Sequence, residues 1–158
     1  MTDSSIYEIS LAYPAAAAQI LPPDPAYSRN SVMHATGKHE VNASAPTSGG
    51  GEATRYNPEE LMLMSLSQCH MLTYLAIAAK KRIGVVAYTD RATGVLGLGS
   101  NGKMSMQSAT LHPGVTVARG SNLADAQAIH EKAHAHCFMA NSVNFPVSHE
   151  PEIIEAES

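Results

Sequence analysis

Residues 57–82 read NPEELMLMSLSQCHMLTYLAIAAKKR, and this stretch decides the fold. Asn57 is a good helix cap, and Pro58 suits the first helical position, where its missing N–H is not needed. Glu59 and Glu60 put negative charge in the first turn, and Lys80, Lys81 and Arg82 put positive charge in the last, as the helix dipole favours. The pattern predicts one long helix from Asn57 to about Arg82, stopping before Gly84. Its faces are apolar nearly all round, as in a helix enclosed by other elements. Ser65, Ser67, Gln68, His70 and Thr73 interrupt Leu61 to Ala79 too often for a bilayer span.

Upstream, Ile6 to Tyr13 alternates as a strand does, and Pro14, Pro22, Pro23 and Pro25 mark a loop. Ser31 to Ala43 predicts a strand pair turning near Gly37, and Gly49-Gly50-Gly51 sits at the centre of a further loop. Downstream, Val85 to Leu98 and Lys103 to Val117 read as two long antiparallel strands around the Asn101-Gly102 turn, with Pro113-Gly114 as a bulge or edge. Asn122 opens a second helix with Asp125 as its capping partner, and Ala126, Ile129, Ala133 and Cys137 share one face. Phe145 to Glu150 is a last short strand. Strands, long helix, hairpin, helix and strand make an α+β fold, with helices on one face of an antiparallel sheet. The length of 158 residues fits one domain, in which residues 1–26 are a variable strand and proline-rich loop.

Charged residues are 15% of the chain and apolar ones 44%. An average soluble protein has about 25% charged residues. Such a chain has more apolar surface than a small monomer hides, which points to an oligomer. The net charge of −4 and the lack of a long basic run argue against a nucleic-acid partner. No basic residue precedes Arg29, so Ala15 to Ala18 lacks the flank of a signal peptide and a cytoplasmic location is expected. In that compartment a transient catalytic disulfide is commoner than a structural one.

Two cysteines, Cys69 and Cys137, are the only ones in the chain, and each has histidine beside or near it. Such a pair can be inert core, can hold a metal, or can do thiol redox chemistry, and spacing alone leaves all three open. His130-Glu131-Lys132-Ala133-His134 matches the H-E-x-x-H zinc signature, with both histidines on one helical face. Its extended form fails, because Cys137 and Ala140 stand where glycine and a third histidine belong, and the later carboxylates Glu150, Glu152, Glu155 and Glu157 fall in the tail. Cys69, Cys137 and His134 are a second conceivable ligand set. For His130, His134 and His136 the commoner role is a solvated helix face.

The words around the cysteines add to this. Asn57-Pro58-Glu59-Glu60-Leu61 ahead of Cys69, and Asn141-Ser142-Val143-Asn144-Phe145-Pro146-Val147 after Cys137, resemble the OsmC/Ohr family of thiol-dependent organic hydroperoxide reductases. Tyr27-Ser28-Arg29-Asn30 is similar to that family's arginine loop, and the likeness covers most of residues 27–150. The resemblance implies an intertwined homodimer in which sheets wrap long central helices. It implies Cys69 as peroxidatic thiol, Cys137 as resolving thiol, and Glu59 and Arg29 as the polar pair at the thiolate. It implies no cofactor, only an external dithiol reductant of the dihydrolipoyl type. Alkyl or lipid hydroperoxides would be the substrates, with Met62, Met64, Met71, Leu72, Phe138 and Phe145 near the thiols or in the dimer core. On one continuous helix Glu59 and Cys69 stand about 15 Å apart, so Glu59 is expected to reach the cysteine of a partner subunit. The alternative function is a non-catalytic zinc- or ligand-binding dimer built on Cys69, Cys137 and His134.

Overall fold

The computed structural model describes residues 5–13 and 27–157. The proline-rich loop of residues 14–26 lies outside the described residues. The chain falls into two compact units, Met1–Leu61 and Met62–Ser158.

In the first unit β1 (Ser10–Ala12), β2 (Ser31–His34) and β3 (Val41–Ala43) form an antiparallel sheet in that order. Strand β1 is shorter than the alternation of Ile6 to Tyr13 suggested. Its ladder stops after Ser10↔His34, Leu11↔Met33 and Ala12↔Val32, and its side chains are exposed, so burial does nothing to extend it. Gly37 sits between β2 and β3 at φ 75°, which glycine adopts without strain. Buried Ser44 anchors the following loop. Its hydroxyl donates to Asn30 Oδ1 at 2.9 Å and accepts the Glu52 N–H at 3.2 Å.

Helix α1 (Pro58–Lys80) begins at a reciprocal cap. Asn57 Oδ1 accepts the Glu60 N–H at 2.8 Å, and Glu60 Oε2 accepts the Asn57 N–H at 3.0 Å. The helix stops two residues before Arg82. Arg82 itself takes the left-handed conformation (φ 58°), and the Ile83 N–H closes back on the Ala78 carbonyl at 3.0 Å. The expected enclosure of every face is not found. One stripe, Leu66, His70, Tyr74 and Ala78, is buried, while Met62, Met64 and Leu72 are exposed. By length and composition α1 could cross a membrane. Its buried stripe instead packs in the second unit's core.

That unit holds two three-stranded sheets. The two long strands expected around Asn101-Gly102 each break in the middle and change sheet. β4 (Val85–Asp90) pairs with β7 (Pro113–Val117), and β5 (Thr93–Leu98) pairs with β6 (Met104–Leu111), all antiparallel. Asp90 stands at the break and holds it. Its carboxylate accepts the His112 N–H at 2.7 Å and the Ser67 hydroxyl of α1 at 2.5 Å. Pro113 is therefore the first residue of a strand, where its missing N–H is harmless, and not a bulge within one. The bulges fall at Val85/Ala87 and Val95/Leu96.

Helix α2 (Leu123–His136) starts with Asn122 Oδ1 accepting the Asp125 N–H at 3.1 Å, as expected. The last expected strand is two. β8 (Val147–His149) pairs with β6 and β9 (Glu152–Glu155) pairs with β7, both parallel, so the sheets are mixed rather than antiparallel. Residues read as a charged tail are thus a paired strand. The main core joins Tyr74 and Ala78 of α1, Val115 and Val117 of β7, and Ala126, Ile129 and Ala133 of α2. A second cluster joins Leu66 to Ala109 and Leu111 of β6. Gly94 of β5 leaves room for this packing, since a Cβ there would lie 3.0 Å from Leu63 of α1.

Candidate active site

Cys69 lies in the middle of α1, and Cys137 is the C-cap of α2, its N–H bonded to the His134 carbonyl at 3.2 Å. The face Ala126, Ile129, Ala133 and Cys137 carries the second sulfur inward, and Cys137 is wholly buried while Cys69 is half-buried. Both are free thiols. They are neighbours at one turn, close enough that Cys69 adds to the upward shift of the Cys137 thiol. The turn after α2 supplies two backbone donors. The Met139 N–H lies 3.5 Å from Cys69 Sγ, and the Ala140 N–H lies 3.5 Å from Cys137 Sγ.

Burial pushes the Cys137 thiol up to about 11. The Ala140 amide works against burial, and the bond and charge of Cys69 add to it. Cys137 therefore stays protonated at neutral pH. A buried, protonated thiol thus lies beside a half-exposed one.

The other two expected site residues belong to the first unit. Glu59 stands in the first turn of α1, and its Oε2 is buried with no hydrogen-bond partner among the described residues. Arg29 donates from Nη1 to the Tyr27 carbonyl at 2.7 Å, and its guanidinium lies 4.3 Å from the Tyr27 ring centroid. Gly50 makes room for it, because a Cβ there would come within 3.1 Å of Arg29 Cζ. Arg29 lines an apolar cavity of about 540 Å³ with Tyr13, Tyr27, Met33, Pro58 and Leu61.

The histidines overturn one expectation. His130 is not on a solvated face but buried, and His134 is partly buried with an enclosed Nδ1, while His136 is exposed. His70 Nε2 lies 3.0 Å from His130 Nδ1, and His149 packs beside both rings and beside His134. Burial, then the neighbouring imidazoles His149 and His134, lowers His70 to about 4, and Asp90 opposes this weakly. Burial, then His70 and His149, lowers His130 to about 3. Both rings are neutral at pH 7.

The pairing also answers the H-E-x-x-H match. A zinc ion needs about 2 Å to each nitrogen. His130 Nδ1 is instead paired with His70 Nε2 at 3.0 Å, the two nitrogens sharing a proton. The His134 ring turns toward His149, 5.3 Å between centroids. Among the described residues no three His, Cys, Asp or Glu side chains converge on a metal position, and the set Cys69, Cys137 and His134 does not form one.

Nothing in the residue pattern signals the His70–His130 pair or the Met139 and Ala140 amides. The first needs two helices to be juxtaposed, and the second uses backbone atoms that every residue carries.

The family model described as OsmC-like protein matches residues 49–152. The chain belongs to the OsmC-like family. An OsmC-like protein of unknown function from Vibrio cholerae is 34% identical, with a TM-score of 0.87 over 94% of this chain and 100% of that one. An organic hydroperoxide resistance protein from Elizabethkingia anophelis is 20% identical, with a TM-score of 0.72 over 99% of this chain and 100% of that one. An organic hydroperoxide resistance protein from Legionella pneumophila is 18% identical, with a TM-score of 0.69 over 96% and 98%. The last two establish likeness of fold. No curated protein matches the chain.

Proposed function

We propose that the protein is a thiol peroxidase that reduces organic hydroperoxides to alcohols. The observation that carries this is that both cysteines lie at one turn, where consecutive amides reach one sulfur each, Met139 N–H 3.5 Å from Cys69 Sγ and Ala140 N–H 3.5 Å from Cys137 Sγ. Membership of the OsmC-like family supports a peroxidase-type role, and proteins of the same fold carry the name organic hydroperoxide resistance protein.

In this reading the Cys69 thiolate attacks the outer oxygen of ROOH. The O–O bond breaks, sulfur is oxidised to a sulfenic acid, and the alkoxide takes a proton to leave as ROH. Cys137 then attacks the Cys69 sulfur, a disulfide forms, and water departs. An external dithiol, of the dihydrolipoyl type, returns both cysteines to thiols by exchange and becomes a disulfide itself. No cofactor is required.

Glu59 and Arg29 complete the site in a homodimer. Nearly three turns of unbroken helix, about 15 Å, lie between Glu59 and Cys69. Glu59 Oε2 has no hydrogen-bond partner among the described residues, and in this reading a partner subunit supplies one. The exposed Met62, Met64 and Leu72 on α1, and Val95, Leu96, Leu98 and Met104 on β5 and β6, are surface that a second copy would cover. The apolar cavity under Arg29 suits the alkyl part of the substrate. A cytoplasmic setting, where dithiol reductants are maintained, suits this cycle.

The test is a thiol count before and after one equivalent of cumene hydroperoxide. Loss of both thiols with one equivalent of alcohol is expected. Two thiols persisting after exposure would end the proposal, and so would a higher kcat/KM for hydrogen peroxide end the assignment of substrate.

A further inference from the structure

We propose that the backbone N–H of Met139 is a catalytic group, the donor that holds negative charge on the Cys69 sulfur. Its nitrogen lies 3.5 Å from Cys69 Sγ, ordinary range for a sulfur acceptor. A neutral thiol is a weak acceptor, whereas a thiolate makes a charge-assisted bond. The bond therefore strengthens when the nucleophile forms, which is what a group favouring the reactive state must do.

The donor is fixed in advance. Its turn is tied down on both sides. The Asn141 N–H bonds to the Cys137 carbonyl at 3.0 Å, the Ser142 N–H to the Met139 carbonyl at 3.1 Å, and the Ser142 hydroxyl to the Phe138 carbonyl at 2.7 Å. Asn141 Nδ2 adds a bond to the Ala135 carbonyl of α2 at 3.2 Å. A preorganised donor costs nothing to reorient when charge appears. The next amide, Ala140, lies 3.5 Å from the Cys137 sulfur, and the Met139 N–H also acts on that thiol. Two consecutive peptide groups of one turn thus stand at the two sulfurs. Scanning side chains would not detect this, because the functional atom is a main-chain hydrogen.

The biological use of this donor rests on the peroxidase reading, but its test does not. In a Cys137→Ser background Cys69 is the only thiol. Replacing the residue 139 amide by an ester, through the 2-hydroxy analogue of methionine, removes the N–H and keeps the side chain. Alkylation of Cys69 by iodoacetamide at pH 7 should slow roughly tenfold, the order of one hydrogen bond to a charged acceptor. The deficit should close at high pH, where ionisation no longer needs help. An ester protein that melts normally and alkylates at the unmodified rate would overturn the proposal.

A second measurement needs no change at residue 139. In protein labelled with ¹⁵N-methionine, the Met139 amide proton should shift as Cys69 ionises and lose that response in Cys69→Ser. A Met139 resonance indifferent to Cys69 overturns the proposal as well. Failure of the native protein to reduce any peroxide would sink the peroxidase reading and leave both of these results standing.

Discussion

His70 of α1 and His130 of α2 face each other through single ring nitrogens, 3.0 Å apart, with centroids 5.3 Å apart and planes within 9°. One neutral ring donates and the other accepts. Whichever way the proton sits, the outer nitrogens His70 Nδ1 and His130 Nε2 remain buried without a partner among the described residues.

This pair makes stability depend on acid. The folded values, about 4 and about 3, lie below the ordinary 6.5. The unfolded chain therefore binds protons that the folded one refuses. Stability is unaffected above pH 6.5 and declines as pH falls from there toward 4 and 3. The slope approaches about 2.7 kcal/mol per pH unit if both sites count fully. The groups facing the pair are His134, His149 and Asp90. Urea unfolding at pH 7, 6 and 5 should show the decline, and a His70→Leu/His130→Leu double variant should flatten it.

Removing one partner strands the other. His130→Leu leaves His70 Nε2 buried with nothing to bond, at a cost of about 1–3 kcal/mol. The double variant should cost less than the two single variants added together, a coupling that a double-mutant cycle measures.

Asp90 joins three elements through two bonds, to Ser67 Oγ and to the His112 N–H. Asp90→Ala leaves both donors without their charged acceptor where β4 passes into β5. A loss of about 2–3 kcal/mol is expected in denaturant unfolding, and an unchanged midpoint would show that water replaces the carboxylate freely.

Arg82 holds a positive φ of 58° at the end of α1, the position where helices favour glycine. Arg82→Gly should raise stability by about 0.5–1 kcal/mol, seen as a higher melting temperature.

The thiols should differ in role. Cys69→Ser is expected to abolish peroxide turnover. Cys137→Ser should allow one turnover and leave a sulfenic acid on Cys69 that a dimedone adduct reveals in the mass spectrum. Full activity in both variants would exclude the mechanism.

Local signals were read well where the chemistry is local. Asn57, Pro58 and Glu60 announce the start of α1, Asn122 and Asp125 that of α2, and Asn101-Gly102 the hairpin, because each acts on backbone atoms within a few residues. The apolar face ending at Cys137 was legible for the same reason, since one helical period carries it. The strand switch at Asp90, the parallel pairing of β9 and the burial of His130 were not. Each depends on a partner remote in sequence, and a single strand or helix face carries no mark of which partner will cover it.

By itself the amino-acid order determined two capped helices, a hairpin between them, and two cysteines set in words that resemble one family. Only the tertiary structure decided that the cysteines meet, that two histidines share a proton in the core, and that the Met139 amide points at a sulfur. Propensity and periodicity act between near neighbours, whereas those three contacts exist only after α1 and α2 have packed on one sheet and excluded water from between them.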